Sequence, residues 1–158
     1  GAHSLIHHAE AATRFSPTEV WESKNPWLLE KVELAPDSGG AGTHRGGCGV
    51  DLFFQAREDM WVTSAVERTK TAPWGLEGGE AGRPNNAAIR LPDGTRTYFG
   101  KATRLLVPKG ATLELYDGGG GGYGPPSGRD PDAVHADIRE GYVSEEFSRR
   151  HYPHAFEE

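Results

Sequence analysis

A chain of 158 residues is the size of one domain and can bury roughly 70% of the surface its unfolded form exposes, so a core needs no crosslinks. Its 17 basic and 23 acidic residues give a formal charge of -6 without a basic stripe, which disfavours a nucleic-acid partner, and its single cysteine excludes an internal disulfide framework or a tetrathiolate metal site. Only 35% of residues are hydrophobic and none of the chain approaches the roughly 20 apolar residues of a membrane span, nor does the start follow the order of a signal peptide, so a cytoplasmic location is expected.

In chain order, residues 1–15 form an N-terminal segment in which Gly1-Ala2-His3 is consistent with a cloning remnant and His7 and His8 diverge too far to act as joint ligands. Ser16-Pro17-Thr18-Glu19 suits a turn or a helix start, with Val20 and Trp21 facing inward and Asn25-Pro26 ending the unit. From Trp27 the pattern is extended, and Val32 and Leu34 alternate with Lys31 and Glu33 as on a half-buried strand. Gly39-Gly40-Ala41-Gly42, followed by Arg45, offers backbone donors to an anion but lacks a following helix, so tight turns are the expectation there. Cys48, among glycines, reads as a small buried hydrophobe.

Extended runs follow at 50–55 and 61–66, then an irregular tract from Pro73 to Asn86 in which Trp74 is the best candidate for a core or interface anchor. Residues 87–91 and 95–99 flank Pro92-Asp93-Gly94, the clearest hairpin signal, and Leu105, Val107, Leu113 and Leu115 surround a further turn at Pro108-Lys109-Gly110. Gly118 to Gly122 with Tyr123 leaves two readings open, a flexible linker or an ordered close approach of backbone in which Gly120 takes a positive φ. Asp130-Pro131-Asp132 opens a helix with Val134 and Ile138 on one face and Gly141 at its end; Ser144 caps a second, stopped by Pro153. The fold class is therefore mainly β, a sandwich or barrel-like domain with short C-terminal helices, divided into 1–15, a glycine-rich β domain at 16–128 and a helical segment at 129–158.

His44, His135, His151 and His154 are scattered, Glu145-Glu146 and Glu157-Glu158 read as solvated charge or helix-start residues, and no catalytic or metal-ligating set emerges. Arg45, Arg68 and Arg104 are candidates to pair with acids across the domain or on a partner, and Arg45, Arg68, Trp74, Gly120 and Tyr123 are the structural or interface candidates.

Several segments recur in one order: 17–22 (PTEVWE), 37–42 (DSGGAG), Arg45-Gly46-Gly47, Glu67-Arg68, Pro73-Trp74-Gly75-Leu76 with Gly78-Gly79, Asp93-Gly94, Gly118 to Gly122 with Tyr123-Gly124, and Gly141-Tyr142-Val143-Ser144. In this the chain resembles the carboxy-terminal part of hydantoinase B/oxoprolinase subunits, a family of 5-oxoprolinases, N-methylhydantoinases and acetone and acetophenone carboxylases. The resemblance implies an ATP-dependent cyclic amidohydrolase or carboxylase, with an A-type subunit and the longer part of a B-type subunit as partners. ATP, Mg and a further divalent metal would belong to the full complex, with no cofactor held by this chain. The metal ligands of the carboxylases lie far upstream of the matching region, so none is carried onto these residues. The chain is then a fragment or a separate small subunit, structural or site-completing and inactive alone; the alternative is a standalone binding or assembly module derived from that domain.

Overall fold

The computed structural model describes residues 16–157, so His3, His7, His8 and the first segment lie outside the described residues. Pro17 immediately precedes a short helix, α1 (Thr18–Lys24), which Asn25 ends in extended backbone before Pro26. Seven strands follow: β1 (Trp27–Leu34), β2 (Val50–Ala56), β3 (Met60–Ala65), β4 (Asn86–Arg90), β5 (Arg96–Phe99), β6 (Lys101–Val107) and β7 (Thr112–Tyr116). Five form an antiparallel sheet in the order β1-β2-β7-β4-β5, while β3 and β6 pair as a separate two-stranded ribbon. The sandwich form of the expected β class is the one adopted.

Register explains the layering. Leu29, Phe54, Leu113, Ile89 and Thr97 lie in one row across the five strands, and Val32, Leu52, Leu115, Ala87 and Phe99 in the next row on that face. Met60, Val62, Leu105 and Val107 of the ribbon pack over part of this apolar face with Ala56, Ile89 and Ala111. Trp21 of α1 covers another part, its ring 4.9 Å from that of Phe54. Neither element covers everything. Val32 and Leu34, expected inside, are exposed because β1 is an edge strand and the ribbon sits elsewhere; Val20 is likewise exposed on the outer side of α1. A register shift between Leu29 and Lys31 marks an irregularity on this edge, the sort of feature that discourages another strand from pairing there.

The hairpin at Pro92-Asp93-Gly94 forms as expected, Gly94 adopting φ +87° while Leu91 N–H donates to Thr95 O. Strand β6 begins earlier than the residues around Leu105 suggest. Its first half is obscured in the sequence by Arg104, which adopts φ +53° where the β3–β6 register slips.

At one end of the main sheet the strands give way to glycine-rich tracts: 35–49 between β1 and β2, 73–85 before β4, and 117–124 after β7. The run Gly118 to Gly122 is ordered and lies against the other two tracts. Gly40 N–H donates to Gly120 O at 2.8 Å, Gly120 N–H to Gly47 O at 2.9 Å, Gly122 N–H to Glu80 O at 2.9 Å and Leu76 N–H to Gly122 O at 2.9 Å. The outer tracts are joined directly by Glu80 N–H to Ala41 O at 2.7 Å and Arg83 N–H to Ser38 O at 2.7 Å.

What glycine supplies here is mainly the absence of a side chain. A Cβ on Gly119 would collide with Ser38 O, on Gly121 with Trp74 O and on Gly122 with Ala41 O. The same crowding of backbone against backbone makes glycine obligatory at the axis of the collagen triple helix. Gly39, Gly40 and Gly42, expected in tight turns, are instead packed against neighbouring backbone without a left-handed φ. Gly120 also lacks the positive φ expected of it, and a Cβ there would stand 3.3 Å from Gly47 N, the loosest fit in the run.

The C-terminal helices form as the capping residues dictate. Asp130 accepts from Asp132 N–H ahead of α2 (Pro131–Arg139), Gly141 follows with φ +76°, and Ser144 accepts from Phe147 N–H at the start of α3 (Glu145–His151). Val134, Tyr152 and Ala155 pack with Ala41, so a second core lies between these helices and the glycine tracts.

Candidate docking surface

The charged residues of the domain divide into those consumed by its own architecture and those left facing outward. Arg45 belongs to the first group. The residue is 4% exposed, and its guanidinium grips Asp137 of α2 with two bonds, Nε to Oδ2 at 3.0 Å and a terminal nitrogen to Oδ1 at 3.2 Å. Arg129 adds a bond of 2.6 Å to the same carboxylate. Burial works against ionised Asp137, but the hydrogen bonds and positive charges of Arg45 and Arg129 outweigh it and hold the carboxyl below its ordinary value. Tyr152 contributes to the same junction by accepting Gly42 N–H at 3.1 Å. The junction therefore fastens helices to glycine tract. Cys48 is buried beside it, and burial pushes its thiol up despite nearby Arg45, in keeping with a packing residue rather than a nucleophile.

A second charged centre, absent from the sequence expectations, surrounds Glu114 on the polar face of the main sheet. Its side chain is fully buried beneath Arg90, Arg96 and Tyr116, which donate at 2.6, 2.9 and 2.8 Å. Burial raises the carboxyl pKa, yet the bonds from Arg96, Arg90 and Tyr116 bring it down overall; the Tyr116 hydroxyl is pushed up to about 12 by its own burial and then by Glu114. With its donors in place the carboxylate acts as a cross-strand brace. The sequence signal was available: Glu114 lies between Leu113 and Leu115 in β7, and arginines stand at the ends of β4, its neighbour, and β5, the next strand beyond, but only register shows that they meet.

The histidines do not converge. His135 Nε2 lies 2.9 Å from Ala155 O, His154 Nε2 is 2.8 Å from Arg129 O, and His151 faces Glu80 at 2.7 Å. Among the described residues, no group of three or more His, Cys, Asp or Glu could hold a metal ion. No described helix is long and apolar enough to cross a membrane.

What remains is a surface. Trp74, Leu76 and Tyr123 are 64%, 57% and 52% exposed, so Trp74 is not a core residue. A parallel bridge joins Leu76 to Tyr123, with Gly124 N–H donating to Leu76 O at 2.9 Å; Tyr123 and His44 exchange two backbone bonds of 2.9 Å on the other side. Trp74 O abuts Gly121, so all three apolar side chains rise directly from the glycine bundle. Arg68, at φ +51°, places its guanidinium 5.5 Å from the centre of the Trp74 ring. Among the described residues it forms no ion pair. Arg68, a candidate to pair with an acid across the domain or on a partner, thus lies over an aromatic face within the domain, and Arg104 does likewise over Trp61 at 5.4 Å. The result is an exposed apolar group carried on hydrogen-bonded backbone with a cation at its margin.

Comparison with known proteins gives this surface a context. The family model described as Hydantoinase B/oxoprolinase matches residues 1–126. The caprolactamase β subunit of Pseudomonas jessenii is 31% identical over 142 residues, covering 85% of the chain and 24% of that protein. The crystal structure of ATP-dependent caprolactamase from the same organism aligns with a TM-score of 0.77 at 28% identity, over 86% of this chain and 24% of the other. 5-Oxoprolinase 1 of Arabidopsis thaliana is 34% identical over 112 residues, which make up 71% of this chain and 9% of that protein. A nucleotide-free acetone carboxylase structure shares the fold, with a TM-score of 0.74 at 23% identity over 95% of this chain and 24% of its own. The chain thus spans a quarter or less of the length of these relatives.

Proposed function

The chain belongs to the hydantoinase B/oxoprolinase family, and from that premise we propose that it is a structural or site-completing domain of an ATP-dependent amidohydrolase or related carboxylase complex, inactive by itself. The observation that carries this reading is the match to only 24% of the caprolactamase β subunit, combined with a fold whose buried charges are occupied in holding its own elements together. In the proposed complex, an A-type subunit supplies ATP-dependent activation and the longer part of a B-type subunit carries the remaining active-site residues. ATP, magnesium and any further divalent metal are assigned in this proposal to those parts, following the family resemblance. We place the complex in the cytoplasm. Within the chain, 16–128 acts as the glycine-rich β unit and 129–158 as a helical segment fastened to it by Arg45; Arg68, Trp74 and Tyr123 face a partner, while Gly120 is part of the support beneath them.

The test is co-expression with A-type and long B-type subunits, purification through this chain, and measurement of ATP-dependent consumption of hydantoin, 5-oxoproline, or a ketone with bicarbonate. A complex should copurify, and its activity should fall when this chain is omitted. Failure to assemble, or activity indifferent to the chain, overturns the proposal and favours a standalone binding module.

A further inference from the structure

The surface formed by Trp74, Leu76 and Tyr123 is more specific than a general need for partners. Resting on the reading above, we propose that it is the seat of the longer B-type polypeptide, and that the segment docking there presents apolar side chains flanked by a carboxylate. The length comparison identifies the occupant: the caprolactamase β subunit carries about three quarters of its length outside the region matched by this chain. The side chains identify its chemistry. Trp74, Leu76 and Tyr123 offer an apolar contact, and Arg68, stacked on Trp74 without an acid of its own among the described residues, offers a cation at its margin.

The backbone identifies why the contact is prepared in advance. Leu76 and Tyr123 are locked together through Gly122 and Gly124, and Tyr123 is paired with His44, so docking does not have to order the segments that bear the contacts. Large aromatic side chains on such a base lose little conformational freedom when covered, which is why tryptophan, tyrosine and arginine dominate the energetics of many interfaces.

Full-length chain carrying an affinity tag is used to capture a long B-type subunit co-expressed with it and with an A-type subunit. Wild type should capture it; Trp74→Ser with Tyr123→Ser should weaken capture by about tenfold or more, and Arg68→Glu should weaken it further at low salt than at high salt. Trp61→Ser, which removes an equally exposed tryptophan from the ribbon, should leave capture unchanged. Equal capture by wild type and the double variant overturns this surface assignment while the proposed function stands; no capture by wild type overturns both. Hydroxyl-radical footprinting of the wild-type complex supplies a readout independent of variant folding: Trp74 and Tyr123 should be protected relative to the isolated chain. Unchanged oxidation at both overturns the assignment, as does protection that appears in the isolated chain with rising concentration, the signature of a second copy on the patch.

Discussion

At the scale of single residues, the glycines divide by what they are for. Gly94 and Gly141 sit at positive φ after a turn and a helix, and their places are readable from neighbouring Pro92-Asp93 and from the helix they terminate. Gly119, Gly121 and Gly122 instead leave room for backbone from tracts far away in the chain, a requirement that local sequence cannot express. The distinction predicts very unequal outcomes for adjacent substitutions. Gly121→Ala would drive a methyl into Trp74 O and should cost about 3 kcal/mol or more, because no flexible side chain is there to move aside. Gly120→Ala, with a 3.3 Å nearest approach and no left-handed φ, should change stability by less than about 1 kcal/mol, as reduced freedom of the unfolded chain offsets the small displacement. Urea unfolding of the two variants checks this directly; equal destabilisation would refute the view that the run is crowded unevenly.

At the scale of elements, the capped helices and the hairpin were legible because their instructions are local: Asp130-Pro131, Ser144 and Pro92-Asp93-Gly94 each act within a few residues. The exposure of Val32 and Leu34 was not, since alternation reveals that a strand has an apolar face but not whether another layer reaches it. Nor could Arg45 be assigned to Asp137, whose position on α2 becomes relevant only when the helices pack. That buried junction gives a prediction with a pH signature. Asp137→Asn should cost about 3 kcal/mol at neutral pH, because Arg45 stays charged and loses its compensating carboxylate. The folded-state pKa of Asp137 is depressed, so the stabilisation is fully present above the ordinary carboxylate value of about 3.9 and is lost as pH falls through the lower folded value. The gap in stability between wild type and variant, measured by urea unfolding across pH, should therefore narrow on acidification below about pH 4; a gap that stays constant would show that charge is not what Asp137 contributes.

For the whole molecule, family membership was legible because ordered glycine and aromatic segments recur together, whereas the candidate docking surface required coordinates. The sequence marks Trp74 and Tyr123 separately and leaves Leu76 unmarked, and only the bridge between Leu76 and Tyr123 shows that the group is continuous with the bundle. The two cores, one beneath the β3–β6 ribbon and one beneath the C-terminal helices, predict that the isolated chain folds without a partner. Its unfolding should be cooperative and independent of protein concentration; a melting temperature that rises with concentration would show instead that association is part of its stability.

The bundle also dictates an order of events in folding. Its central run lies between tracts widely separated along the chain, and the tie from Gly42 to Tyr152 spans 110 residues. Such contacts close large loops before they return much stabilisation, so local hairpins form ahead of them and the glycine axis is set late. During synthesis the earlier tracts must wait for residues 118–122 to emerge before they have anything to close around. A full-length chain carrying Gly119→Val with Gly121→Val should therefore leave both waiting tracts open to protease, while the wild-type chain protects them. Five residues with no side chains would then act as the key that turns a set of loops into a surface.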